Sequence, residues 1–445
     1  MNERDGKYEM MTTGSVRRLI STFALPAIVS MLITSLYNLV DTFFVGRLDT
    51  QSVAAIGIVF SYMGLIQACA FFFGQGSGNY ISRALGARKG EDAESMASTG
   101  FFFALIFSVI LALACFVFIR PVLLLFGATP TVMPYALDYF KWILLGTPFI
   151  VGTFVLNVQM RFQGNASVAV MGIASGAILN IILDPVFIFG FDMGVAGAGL
   201  ATCVSQFCSF VLMLFLAGLK GGIRIRFRNF APSFSSFREI NAGGLPSLAR
   251  QGLQAVSLVV LNNCAAVYGD ASLAAFSIVG RVMHIAAGVV IGFGQGFQPV
   301  CGYNYGAHLY QRVREGIRFS VTVTTAWCLV MTVMGITLAG GVVGLFTKGD
   351  ADVVLLGTKV LRAQCLAFPV VGFITVTNMY LQSTRQVWPA LILAVARHGL
   401  FLIPALLIGS LFGYGGLVAA QPAADALSFI LAVPLCFKAT RRMRE

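Results

Sequence analysis

Charge is what this chain has least of. Only 11% of its 445 residues are Asp, Glu, Lys or Arg, against about 25% in an ordinary soluble domain. A water-soluble protein of this length has too much surface to cover with so few charges, which excludes a soluble enzyme and a disordered chain. No Cys-x-x-Cys pair occurs. The nine cysteines fall singly within apolar stretches, which excludes a disulfide scaffold and argues against a zinc site. The three histidines, His284, His308 and His398, have no partner at metal-ligand spacing. No nucleophile motif or phosphate loop completes itself either. Gly74-Gln75-Gly76-Ser77-Gly78 and Gly292-Phe293-Gly294-Gln295-Gly296 lack the following Lys-Ser/Thr, and their place in apolar stretches points to close helix packing. No catalytic residue and no cofactor is expected.

What remains is apolar: 58% hydrophobic residues and a mean hydropathy of +0.85. Stretches long enough to cross a bilayer, about 20 residues each, occur twelve times: 19–43, 52–76, 95–119, 135–158, 166–190, 194–218, 245–268, 272–300, 317–346, 360–383, 388–411 and 415–437. Continuous apolar runs exclude the alternating pattern of an outer-membrane barrel. The sequence therefore predicts an all-α polytopic membrane protein. Basic residues outnumber acidic ones, 30 to 18, but they sit in short loops between spans, so they read as topology signals and not as a nucleic-acid surface. They collect on the side of the N-terminus, the loop after span two, the central loop with Arg224, Arg226 and Arg228, and the C-terminal tail. Both termini are thus expected in the cytoplasm.

The halves resemble each other at a shift of about 220 residues. Leu25-Pro26 recurs as Leu245-Pro246, Phe73-Gly74-Gln75-Gly76 as Phe293-Gly294-Gln295-Gly296, and Gly86-Ala87 as Gly306-Ala307. Several matches at one shift indicate a duplication. Six spans per half is an even number, so two six-helix lobes related by a pseudo-two-fold axis along the membrane normal are expected, as in transporters. The expected layout is a cytoplasmic N-terminal segment (1–18), an N-lobe (19–218), a cytoplasmic linker (219–240), a C-lobe (241–437) and a cytoplasmic tail (438–445).

Ionisable groups inside the membrane are costly and mark candidate sites. Three acids are read as lying inside spans: Asp41, Asp184 and Asp425. Asn180 and Asp184 are four apart and share a helix face, and Pro185 follows, which removes a donor and kinks the helix. Thr202 adds a hydroxyl and Asn157 an amide. This set of two carboxylates, two amides and a hydroxyl suits either a bound Na⁺ ion or a transported proton. The second half lacks the set: Leu261 and Ile403 stand at the shifted positions, and its own acid, Asp425, has Arg397 as a candidate partner. That pair reads as structural, with a gating role as the sharper alternative. Methionines such as Met31 are candidates for lining an adaptable cavity.

The twelve-span duplication, the opening Leu-Pro-Ala-Ile followed by Tyr-Asn-Leu-Val-Asp-Thr-Phe-Phe-Val-Gly, and the Gly-Gln-Gly repeats resemble the multidrug and toxic compound extrusion (MATE) family, within it the MepA-like and DinF-like bacterial branch. The resemblance spans roughly 15–440. It implies a secondary efflux transporter that exports amphipathic organic cations by H⁺ or Na⁺ antiport, alternating between inward-open and outward-open states. It further implies a first-lobe cation site at Asp41, Asn180, Asp184 and Thr202, with Tyr37 and Asn157 near that site or the substrate cavity, and Pro26 as a bending point of span one. The NorM-like branch carries a Glu in span seven; here Gln254 stands at the matching position, so coupling through the second lobe is not expected. Membrane lipid and small amphipathic cations are the expected partners, and one chain with two lobes suffices as a monomer. Two rivals from other classes are a flippase or exporter for lipid-linked oligosaccharides or other anionic substrates, which Arg250 and Arg281 would suit, and an intramembrane enzyme, which the missing catalytic constellation disfavours.

Overall fold

The computed structural model describes residues 3–220, 223, 225–347, 350–441 and 443; within that range the side chains at 3, 4, 35, 37–39, 41–43, 50, 219 and 220 lie outside the description. Every regular element among the described residues is helical. A short α1 (Glu3–Thr13) precedes α2 (Val16–Val45), α3 (Thr50–Gly86), α4 (Gly90–Val117), α5 (Ile119–Leu125), α6 (Met133–Phe162), α7 (Ala166–Pro185) and α8 (Gly194–Lys220). The second half runs through α9 (Phe234–Ala266), α10 (Asp270–Gly306), α11 (Tyr310–Thr337), α12 (Ala339–Gly344), α13 (Ala351–Ser383), α14 (Val387–Val395), α15 (Leu402–Leu411) and α16 (Gly413–Arg441). Two π-helical segments interrupt the pattern: Val186–Gly190 after α7, and Ala396–Phe401 between α14 and α15.

Eleven of these helical stretches are long and apolar enough to cross a membrane. The remaining predicted span, 245–268, lies in α9. That helix runs 33 residues, but Arg250, Gln251, Gln254, Asn262 and Asn263 dilute the apolar character of the stretch. Helices α3 and α10 continue past the predicted span ends to Gly86 and Gly306. The Gly-Gln-Gly stretches are therefore helix interior, and the polar residues that follow, Ser77, Asn79 and Ser82, are buried and bonded back to backbone carbonyls one turn earlier. Asp138, in the second turn of α6, is exposed and paired to Lys141 at 3.0 Å.

The duplication extends to local geometry. α3 and α10 are both 37 residues long, and α4 and α11 both 28. After α3 the chain turns through Arg88 at φ 61°, and after α10 through His308 at φ 60°. Both are left-handed conformations that cost a residue with a Cβ about 1–2 kcal/mol. Each half spends that energy at the same place, to turn sharply from one spanning helix into the next.

The chain forms two compact units that exchange segments. One contains Met1–Met10 and Val29–Leu248, the other Met11–Ile28 and Ala249–Glu445. The boundaries fall inside α2 and α9, not at the linker 219–240, whose last residues already belong to α9. Glycine explains the exchange. In the first unit a Cβ on Gly76 of α3 would collide with the backbone of Ile240 in α9. In the second unit a Cβ on Gly296 of α10 would collide with the backbone of Ala24 in α2, and would lie 2.7 Å from the carbonyl carbon of Phe23. The two glycines are repeat partners, and each opens the groove into which the start of the exchanged helix fits. Small residues at such crossings let helix backbones come together inside a membrane.

Candidate functional site

In the first unit, α7 and α8 are fastened along their length. The hydroxyl of Ser209 on α8 donates to the Gly172 carbonyl on α7 at 2.6 Å, and Gly176 leaves room for the Ser209 side chain. Two turns beyond Gly172 on α7, Asn180 faces the same neighbour. Its amide donates to Thr202 Oγ1 on α8 at 3.4 Å and to Asp184 Oδ1 on its own helix at 3.3 Å. Asn180 and Asp184 are fully buried, and Thr202 is 1% exposed. Among the described residues Asn180 Oδ1 accepts no hydrogen bond. The cluster therefore offers a carboxylate, a free amide oxygen and a hydroxyl within one shielded space. These are hard oxygen ligands suited to Na⁺, around a carboxylate that can alternatively take a proton.

The break after Asp184 is part of the site. Pro185 has no N–H to continue the α-helical ladder and its ring crowds the carbonyl four residues back. The chain responds by widening: Phe191 N donates to Val186 O at 2.9 Å, a bond spanning five residues. Such π segments occur often at functional positions. Asp184 thus occupies the last turn of a regular helix, beside backbone that is already loosened.

The other first-half candidates are distributed. Tyr37 and Asp41 lie four residues apart on α2, and their side chains lie outside the described residues. Met31 is half-buried on the same helix. Pro26 sits inside α2, which remains helical through it, two residues before the chain passes from one unit to the other. Asn157 is buried, and its amide donates to the Ala169 carbonyl at 2.7 Å, tying α6 to α7. Asn378, its repeat partner, makes the same bond to Ala390 at 2.8 Å. A contact that recurs in the half lacking the acid cluster does the work of helix positioning.

In the second unit Arg397 and Asp425 are paired, Nε to Oδ1 at 2.8 Å, with Gln421 donating to the other carboxylate oxygen at 3.4 Å. Arg397 lies in the second π segment, where the widened backbone also frees the His398 carbonyl to accept from Ser257 of α9 at 2.6 Å. Gln254 is exposed on α9. Two features escape sequence reasoning. Arg161, three residues past the predicted end of span four, is 4% exposed; and Ser257, on the same stripe of α9 as Arg250, bonds the backbone of the segment that carries Arg397 and His398. The π segments themselves have no sequence signal beyond Pro185, since Arg397 is seven residues before the nearest proline, Pro404.

The MatE family model matches twice, over residues 26–186 and 246–408, in register with the two halves. Among curated relatives, a multidrug export protein MepA of Staphylococcus haemolyticus (strain JCSC1435) is 27% identical over 434 residues, 96% of this chain and 95% of the relative. The MepA of Staphylococcus aureus (strain MSSA476) is 27% identical over 421 residues, 93% of this chain and 92% of the relative. Among solved structures, the outward-facing conformation of a multidrug resistance MATE family transporter of the MOP superfamily aligns with a TM-score of 0.92 at 24% identity, covering 98% of each chain.

Proposed function

The chain belongs to the MatE family, a multi-pass membrane transporter, and from that premise we propose that it exports amphipathic organic cations by H⁺ or Na⁺ antiport, with coupling in the first lobe. The observation that carries the coupling assignment is the fully buried Asn180–Asp184–Thr202 cluster at the edge of a π segment. A proton or Na⁺ bound there removes the negative charge of Asp184, and the adjoining loosened turn lets α7 answer without breaking an intact ladder. Asp41, reached along α2, supplies the second carboxylate. Loading of the pair favours the outward-releasing state, and release of the ion inward resets it. One charge crossing 100 mV supplies about 2.3 kcal/mol, enough to bias a two-state equilibrium by more than tenfold. The basic loops support placement in the cytoplasmic membrane with both termini inside, and two lobes in one chain support a monomer.

The test is ethidium efflux from energised cells expressing wild type, Asp184→Asn or Asp41→Asn, with a protonophore and with Na⁺ withdrawn in separate runs. Efflux that requires both carboxylates and one of the two gradients is expected. Well-expressed wild type that moves no cationic dye would refute the substrate reading, and Asp184→Asn pumping at the wild-type rate would refute the coupling site.

A further inference from the structure

In the first unit the polar cluster is built around the carboxylate of Asp184. In the second, the only carboxylate in the comparable region among the described residues, Asp425, is paired with Arg397 of the π segment. Arg250 lies at the middle of α9, on the stripe that continues through Leu253 and Ser257. Both of those residues touch the second π segment: Ser257 bonds the His398 carbonyl, and Gly399 leaves room for Leu253, whose Cδ1 would lie 3.1 Å from an added Cβ. Arg250, one turn before Leu253, therefore belongs to the face of α9 that meets the segment carrying Arg397 and His398.

The balance of this neighbourhood is positive. Asp425 serves Arg397 through a single Nε bond, and among the described residues no other hydrogen bond is made by that guanidinium, which has five N–H donors. Arg250 makes no hydrogen bond or ion pair there, although its Nε is wholly shielded from solvent. His398 is 8% exposed and its Nδ1 has no partner. Buried charge is normally paired, and an uncompensated one costs several kcal/mol. A cluster of unused donors of this kind is what oxyanion recognition requires, because a guanidinium fork matches a carboxylate or phosphate ester in shape and in charge.

We propose that Arg250, Arg397 and His398 form an oxyanion site in the second unit, which takes the carboxylate or phosphate group of an amphipathic ligand. Arg250 supplies the free guanidinium. Arg397, oriented by Asp425 and Gln421, presents its remaining donors, and His398 closes the site from the π segment. The inference rests on the reading of the protein as an exporter of amphiphiles: a ligand of that class can carry an anionic group beside its cationic one.

A matched pair of dyes tests it. Rhodamine B and its ethyl ester differ in whether one carboxyl group is free or esterified. Their dissociation constants are measured by fluorescence polarisation on full-length protein in nanodiscs of zwitterionic lipid. Wild type is expected to bind the free acid about tenfold more tightly than the ester, the advantage of one charge-assisted hydrogen bond. Arg250→Gln brings that ratio close to one, and Arg250→Lys retains most of it. Nanodiscs containing phosphatidylglycerol separate the two sources of oxyanion: loss of the acid preference there assigns the site to a lipid headgroup phosphate, and its persistence assigns it to the ligand's carboxylate. Equal binding of acid and ester by wild type in zwitterionic lipid overturns the proposal, as does an undiminished ratio in Arg250→Gln. Because the readout is binding, normal ethidium efflux alongside equal dye affinities removes the oxyanion site and leaves the exporter reading standing.

Discussion

Gly296→Ala is the substitution that most directly tests how the second unit holds the start of α2. The new methyl would meet the backbone nitrogen and Cα of Ala24 and come within 2.7 Å of the Phe23 carbonyl carbon. None of these atoms can rotate away as a side-chain tip could. Either α2 or α10 must shift as a body, and overpacking of this type costs about 1–3 kcal/mol. Replacing glycine in a helix interior returns up to about 1 kcal/mol of propensity, so a net loss of up to about 2 kcal/mol is expected. Gly280 lies on the same α10, and a Cβ built there meets nothing within 4 Å. Gly280→Ala therefore shares the propensity gain without the collision and is the internal control. Melting curves of detergent-purified protein, read by fluorescence size-exclusion chromatography, should place Gly280→Ala at or above wild type and Gly296→Ala below it. Gly296→Ala melting as high as Gly280→Ala would refute the claim that the glycine is there to admit the exchanged segment.

Two further predictions use the same melting assay. Asn157→Ala and Asn378→Ala should each lower stability by about 1–2 kcal/mol, because each loses the same buried bond to the following helix; full stability of Asn157→Ala with loss of substrate binding would show Asn157 to be a ligand contact instead. Arg397→Met and Asp425→Leu should each cost about 3–5 kcal/mol as single changes, because each leaves a charge without its partner, while the double variant should recover most of that loss. A double variant as unstable as the sum of its singles would show that the pair is not the unit holding α16 to the π segment.

The candidate coupling cluster was legible because its ingredients are short-range. Asn180 and Asp184 are one helical turn apart, and Pro185 announces the break beside them; only the partner from α8, Thr202, comes from beyond that segment. The Arg397–Asp425 pair was legible for a different reason, scarcity: each is among the few charges that a half of the chain carries inside its spans. The exchange of segments was not legible. Whether Ala24 packs on α10 depends on a glycine some 270 residues away, and hydropathy periodicity says which stretches are helical but not which groove each occupies.

The π segments show where a duplicated fold has diverged. If the halves had kept one pattern, the break after α7 at Val186–Gly190 would recur at the corresponding turn of the second half. There, instead, α15 runs unbroken through Pro404, and the break has moved toward the N-terminus to Ala396–Phe401. The displacement changes what each break adjoins. In the first half the loosened turn follows a buried carboxylate, so a change of charge at Asp184 is applied directly to backbone that can yield. In the second half the loosened turn contains the charged residues themselves, and its freed carbonyl is fixed by Ser257 from another helix. A π segment pinned from outside is a scaffold, whereas one flanked by an ionisable group and left unpinned is a hinge. Among the described residues, the first break bonds through its own backbone and rests on Gly197 of α8, with no side chain donating to its carbonyls. The physical asymmetry therefore favours motion in the first half and fixed recognition in the second, which is the division of labour that a carboxylate cluster in one unit and a guanidinium cluster in the other would need.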